Sequence, residues 1–450
     1  MLAQRICRSQ LIVIEAVNGS NFQIEQQCPQ CGAPIILDEA DRILSCSFCR
    51  TRVYLASEDF FRFYLSPAEG ISEAIYFIPY WRTKGFSYTI KEKDLNKEHQ
   101  GRLSSYIISS TVKGMDISHK YFDINFLSLD SKLLPHSLGL RPQTMKLTFV
   151  GSSKTEGRFL KFSRTKRDTL INDYRTRTGG VHKAILIGET ASVIYFPLYC
   201  SNGRVYDAVL RRPLDLQTKD KEVEKSLTSA TDEKWQVEFL PLLCPDCGAD
   251  LTGEKDALVA FCSNCHSAWS LSDKKFCKMK FFTWQEEGED IMYLPFWQLK
   301  VKASGIQMET YADFIKASNQ PKVPSEEWAR TPFYFCAPAF KLSPPLFLRW
   351  SRQLTATPPP KDLNAEFPAK KVHQVTLPLN EALESSLLTL VGLTANKRNL
   401  AKVVASPNFT LEDSCLVLHP FRISSNQLVH TRLGVGMDKS VLNFELGPQY

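Results

Sequence analysis

Four Cys-x-x-Cys pairs, arranged as two matching quartets, constrain this chain more than any other feature. Cys28, Cys31, Cys46 and Cys49 form the first quartet, and Cys244, Cys247, Cys262 and Cys265 the second, each 216 positions after its counterpart. Two residues between cysteines let consecutive thiolates bend round one ion with the local amides turned toward sulfur. Gly32 and Gly248, directly after the second cysteine of each quartet, supply the positive φ that such a turn needs. Fourteen residues separate Cys31 from Cys46, and Cys247 from Cys262, enough for a short hairpin that brings the second pair back to complete a tetrahedron. Four thiolates fill every position of a tetrahedral ion and leave none for water or substrate, so each quartet implies a structural metal site. Iron would fit the same cage, since sulfur ligation alone does not exclude it.

The step of 216 continues beyond the cysteines. Pro29 maps onto Pro245, Leu55 onto Leu271, Phe60 onto Phe276, and Ile78-Pro79-Tyr80-Trp81 onto Leu294-Pro295-Phe296-Trp297. With looser spacing, Leu138–Arg141 is echoed by Leu346–Arg349, and the segment from Val193 by the segment from Leu416, which aligns Pro197 with Pro420. Two chance metal knuckles would not share a Pro-aromatic-Trp element so far downstream. The chain therefore reads as a tandem duplication, with residues 26–85 expected to superpose without a gap on 242–301.

The quartets resemble the zinc ribbon, a rubredoxin-like family of small metal-binding modules, over about 22 residues in each half. That resemblance implies that all eight cysteines are ligands and that each chain holds two Zn2+ ions in structural roles. Cys262-Ser-Asn-Cys265-His266 also matches the pattern of covalent haem attachment. Haem would leave Cys244 and Cys247 without partners, and the residue at the matching place in the first quartet is Arg50.

The expected fold class is α+β and β-rich, each half being a four-cysteine zinc ribbon attached to a β-rich domain. The boundaries fall as an N-terminal strand segment (1–21), ribbon 1 (22–56), β-rich domain 1 (57–212), a polar linker (213–236), ribbon 2 (237–272) and β-rich domain 2 (273–450). The linker, charged and poor in large apolar residues, is expected to insulate the halves from each other. Alternation in Phe86-Ser-Tyr88-Thr-Ile90 predicts a half-buried strand, and Ser201-Asn202-Gly203 a hairpin turn between two apolar runs. Leu379, Leu383, Leu387 and Leu390 predict one apolar face of a helix.

At 450 residues and 43% hydrophobic, the chain can bury ordinary cores, so the metal sites are additions to folded domains. No secretory signal and no stretch of about 18 apolar residues is read, which predicts a cytoplasmic protein without a membrane span. Paired cysteines then suit a thiolate cage in a reducing compartment, and Cys7, Cys200, Cys277, Cys336 and Cys415 read as small core residues.

Net charge is +7, concentrated where Arg158, Lys161, Arg164, Lys166, Arg167, Arg175, Arg177 and Lys183 oppose only Asp168 and Asp173. With Phe159, Phe162 and Tyr174 interleaved, this segment could grip phosphates and stack bases, bind an acidic protein, or form a solvated loop. Phosphate-loop, nucleophile-elbow and His-Glu-x-x-His patterns are missing, no small-molecule substrate is identified, and the eight histidines lie without ligand spacing. The leading expectation is a non-catalytic scaffold or adaptor mediating protein–protein interaction. A nucleic-acid-binding protein using residues 158–183 is the alternative, and an enzyme with an unrecognised site comes third.

Overall fold

A computed structural model describes residues 22–57, 59–94, 113–129, 134–137, 146–151, 156–162, 181–214, 227, 235–272, 274–394 and 409–443. The expected N-terminal strand segment 1–21 and most of the linker 213–236 lie outside these residues. The fold is strand-rich, 47% strand against 12% helix.

In the first half, β1 (Gln23–Gln27) and β2 (Pro34–Asp38) make the hairpin that carries the first cysteine pair, and β3 (Ile43–Ser45) with β4 (Arg52–Ala56) the hairpin that carries the second. Strand β5 (Phe61–Tyr64) then leads into two long antiparallel strands, β6 (Ile75–Asp94) and β10 (Val181–Ser201). Between them, β7 (Lys113–Leu127) pairs with β6, β8 (Lys146–Phe149) bridges β5 to β1, and β9 (Arg158–Phe159) lies parallel to β6. Strands β11 (Arg204–Asp207) and β12 (Arg212–Pro213) close the sheet. The turn into β11 uses Asn202 and Gly203 at φ 50° and 72°, the left-handed pair that a two-residue hairpin requires.

The second half opens with β13 (Glu238–Pro241), followed by a three-stranded ribbon of β14 (Val259–Cys262), β15 (Ser267–Ser272) and β16 (Lys275–Met279). Its main sheet holds β17 (Phe281–Trp284), β18 (Ile291–Ala303), β19 (Phe335–Pro338), β20 (Leu363–Asn364), β21 (Phe409–Ser424), β22 (Gln427–His430) and β23 (Gly436–Asp438). Helices α1 (Tyr311–Ala317), α2 (Pro344–Thr355) and α3 (Leu379–Leu393) are interspersed among these strands.

Pairing registers in the two sheets correspond. Phe77 faces Pro197 and Pro79 faces Tyr195; in the second half Tyr293 faces Pro420 and Pro295 faces Leu418. Strand β5 runs parallel to β10 as β17 does to β21, and β11–β12 and β22–β23 follow in the same order. The gap-free superposition is nevertheless not found: β1 and β2 pair as a five-residue hairpin, whereas the matching residues of the second half make only isolated bridges, and the offset itself changes further on. Phe63 faces Ile194 and Phe282 faces Val417, so β17 enters its sheet 219 positions after β5 rather than 216. The reason is β16. It supplies the third strand of ribbon 2, whereas in ribbon 1 that place beside β4 is filled by β13, from the other half. Phe276 accordingly stays in the ribbon, edge-on to Tyr54 at 5.8 Å, while Phe60 packs against Trp81 at 5.0 Å.

Insulation between the halves is not found. Phe86, Tyr88, Ile90, Ile185 and Ile187 join the same hydrophobic cluster as Leu294, Phe347 and Leu388. The segment 86–90 is therefore buried on both faces, with Ser87 and Tyr88 each 1% exposed, rather than half-buried. A break in β6–β10 register between Ile187 and Thr190 places Gly188 at φ 70°, and its amide donates to Glu381 Oε2 of α3 at 2.6 Å. Helix α3 lies where the sequence placed one, but it buries Ser385, Ser386 and Thr389 together with Leu387, Leu388 and Leu390, while Leu379 and Leu383 of the expected apolar face are only half-buried. The hydroxyls of Ser385 and Thr389 donate to carbonyls of the helix itself, which makes a polar face tolerable there.

Candidate metal centres

Each cysteine pair sits in a turn closed by backbone hydrogen bonds. The Gly32 amide donates to Cys28 O at 2.9 Å, Arg50 to Cys46 O at 2.9 Å and Gly248 to Cys244 O at 2.8 Å, while the Cys28 amide reaches Ala33 O at 2.8 Å. Gly32, Arg50, Gly248 and His266 occupy the same place in the four turns, with φ of 72°, 61°, 74° and 51°. Glycine takes this conformation freely; at the other two turns Arg50 and His266 adopt it at a cost of about 1–2 kcal/mol. His266, expected as an ordinary surface residue, accepts the Phe367 amide on Nδ1 at 3.1 Å.

In each quartet the four sulfurs lie within 4.8 Å of one another. Cys28 and Cys49 Sγ are 3.6 Å apart, Cys31 and Cys46 3.7 Å, and both cross-pairs of the second quartet 3.5 Å. A regular tetrahedron with metal–sulfur bonds of about 2.3 Å has an edge of about 3.8 Å, so both cages match the size of a four-thiolate ion site. All twelve described cysteines are free, as a metal cage requires and a disulfide network would not. Each quartet can hold one metal ion.

Hydroxyl groups at equivalent positions tune the cages, and these the motif alone did not reveal. Thr51 Oγ1 lies 3.2 Å from Cys49 Sγ, and Ser267 Oγ lies 3.0 Å from Cys265 and 3.6 Å from Cys244. Thr51 and Ser267 are themselves 216 positions apart, the signal that would have found them. The Thr51 hydroxyl and amide pull the Cys49 thiol down to about 6, and the Ser267 hydroxyl pulls Cys244 down to about 6 against the effect of burial. Cys31 is pushed up to about 12, burial and the neighbouring thiols outweighing the Ala33 amide. A cage that retains a proton on one sulfur must release it when a cation enters, so metal uptake is expected to liberate protons.

The ribbons are also packed on each other. Strand β13 pairs with β4, Arg52 donates to Gly253 O at 2.7 Å, and the amides of Arg42 and Ile43 both reach Lys255 O. Ile43 and Tyr54 of ribbon 1 belong to the hydrophobic cluster that contains Cys244, Cys262 and Trp269.

Of the basic segment, Arg158 and Lys183 are half-buried and Lys161 is exposed; Arg164, Lys166, Arg167, Arg175 and Arg177 lie outside the described residues, as does Tyr174. Phe159 stacks on Phe77 at 4.2 Å and Phe162 meets Trp81 at 5.3 Å, so these two aromatics serve the protein interior rather than stacking bases. The lone Cys200, Cys277, Cys336 and Cys415 are half-buried rather than fully in the core, and Cys7 lies outside the described residues.

Two histidines without sequence spacing are brought together. His419 Nδ1 and His430 Nε2 are 3.0 Å apart and buried. His430 Nδ1 accepts amides from Arg432 and Leu433, so its proton sits on Nε2 and is donated to His419. The cavity beside them, lined by Trp284, Phe296, Cys336 and Pro358, measures about 20 Å³, room for about one water.

The chain matches no known protein family, no curated protein and no solved structure. Among the described residues no helix is long and apolar enough to cross a membrane.

Proposed function

We propose that this protein is a non-catalytic scaffold built from two duplicated units, each stapled by one Zn2+ and working in a reducing compartment such as the cytoplasm. The observation that carries this reading is the pair of closed four-thiolate cages, each docked on other elements of the fold rather than opening onto a cleft. Zinc suits a tetrahedral all-sulfur cage that has no redox task. Matching strand registers around Pro79 and Pro295 support descent of both halves from one unit.

The scaffold acts by presenting ribbon 1 to a protein partner. Phe48, between two ligands, is 71% exposed, and Ile36 on the hairpin of the first cysteine pair is 56% exposed. At the corresponding positions ribbon 2 carries Asn264 and Thr252, so the Phe48 and Ile36 display has no counterpart there, and ribbon 2 exposes only Leu243, at 47%, beside its first ligand. Native mass spectrometry of purified protein is expected to give two zinc ions per chain. Affinity purification from the native host is expected to enrich protein partners with the wild type and to lose them with Phe48→Ser. Equal recovery by both proteins, or recovery of nucleic acid in place of protein, would refute the scaffold reading.

A further inference from the structure

We propose that the two cages differ in kind: ribbon 1 is an exchangeable metal site that responds to zinc supply, and ribbon 2 is a permanent one. This rests on the reading that both hold zinc. Exchange of a four-thiolate ion needs an incoming donor to reach the metal–sulfur edge as one thiolate leaves, so coverage of the outer sulfurs sets its rate. In ribbon 1 both Cys31 and Cys49 are exposed, whereas in ribbon 2 Cys247 is exposed and Cys265 half-covered.

The surroundings separate the sites further. Ser267 Oγ contacts both Cys244 and Cys265 and is itself fixed by the Trp269 indole, whose Nε1 donates to it at 2.8 Å. Trp269 is 5% exposed and has Lys278 Nζ 5.9 Å from its ring, with Lys278 held by Asp246 at 2.6 Å. A divalent ion with four thiolates carries a double negative charge, and the Lys278 ammonium lies within electrostatic reach of Cys244 and Cys265. Ile43 and Tyr54, inserted from ribbon 1, seal the inner side.

Ribbon 1 keeps only the hydroxyl of this arrangement. At the step of 216, Thr51 stands for Ser267 but Val53 stands for Trp269, and the place that Lys278 of β16 takes opposite Trp269 is held opposite Val53 by Pro241 of β13, which has no charge. Because metal binding and folding are linked in such modules, a site that surrenders its ion makes the local fold conditional on free zinc.

The test uses zinc-loaded full-length protein, challenged with EDTA and pulsed with iodoacetamide, which forms an S–C bond with loss of iodide. Mass spectrometry of the digest then reads the order in which cysteines are modified, alongside zinc release. Cys31 and Cys49 are expected to be alkylated about ten-fold or more sooner than Cys247 and Cys265, in step with release of the first ion. Ser267→Ala is expected to narrow the gap by accelerating ribbon 2 alone. Equal rates, or earlier modification of Cys247 and Cys265, would overturn the proposal, and the wild-type order decides it even if Ser267→Ala fails to fold. A starting content below two zinc ions would instead remove the zinc reading on which it rests.

Discussion

At the scale of single residues, the ligands and one buried ion cluster dominate. Cys46→Ser and Cys262→Ser each leave three thiolates in a cage sized for four, so each variant is expected to retain one metal ion where the wild type is expected to hold two. Native mass spectrometry checks this, and two ions retained by Cys46→Ser would mean that Cys46 is not a ligand. Glu39, 3% exposed, holds Lys84 Nζ at 2.8 Å and Arg82 at 3.4 Å, and Arg82 also pairs with Asp123. Burial raises the Glu39 carboxyl, but Arg82 and Lys84 outweigh it and hold it below the usual range. Its contribution is therefore present above the unfolded carboxylate range and lost as pH falls through the depressed folded value. Glu39→Leu removes the shared counter-ion from two buried cations and is expected to destabilise the first half by about 3–5 kcal/mol, read as a lower denaturant midpoint. A midpoint within error of the wild type would show that Asp123 suffices.

At the scale of elements, the donated strand is the telling feature. Ribbon 1 takes its third strand from β13, and ribbon 2 takes Ile43 and Tyr54 into its core, so neither ribbon is complete alone. Tyr54→Ala deletes a ring that is 3% exposed and is expected to cost about 3–5 kcal/mol. Limited proteolysis should then cut faster within both 22–56 and 237–272; faster cutting confined to ribbon 1 would show that the docking is idle. The cysteine spacing, the Asn202-Gly203 hairpin and helix α3 were legible because each depends on residues close in sequence. Strand β13 was not, since Glu238–Pro241 finds β4 across nearly two hundred residues and no local pattern encodes such a partner. The same holds for Lys278, which reads as an ordinary polar residue until the ribbon sets it beside Trp269. The aromatics of the basic segment are not legible locally either, since Phe159 and Phe162 share their stretch with charged neighbours, whereas strand pairing at β9 sets Phe159 on Phe77 and the chain beyond it brings Phe162 to Trp81.

At the scale of the whole molecule, the shared core decides how the protein comes apart. Burial pushes His373 and His430 down to about 4 and His419 well below its ordinary 6.5, all within the second half. A histidine with a depressed folded value stays neutral in the native state while the unfolded chain takes up the proton. Stability is thus full above about 6.5 and falls as pH drops toward about 4. For His430, which is 0% exposed, this amounts to on the order of 3 kcal/mol. Acid should therefore strike the second half first, and whether the first half survives depends on the contacts between them. Separation would expose Phe86, Tyr88, Ile90, Ile185 and Ile187, and would strip Gly188 and Thr190 of Glu381 and Lys341. A free first half would bear an apolar patch large enough to drive association. Calorimetry of the zinc-loaded chain is accordingly expected to give one transition whose midpoint falls between pH 7 and pH 5, with residues 1–213 alone aggregating. Two resolved transitions, with the upper one unmoved by that acid step, would show that the halves fold independently and that their common core adds nothing to either.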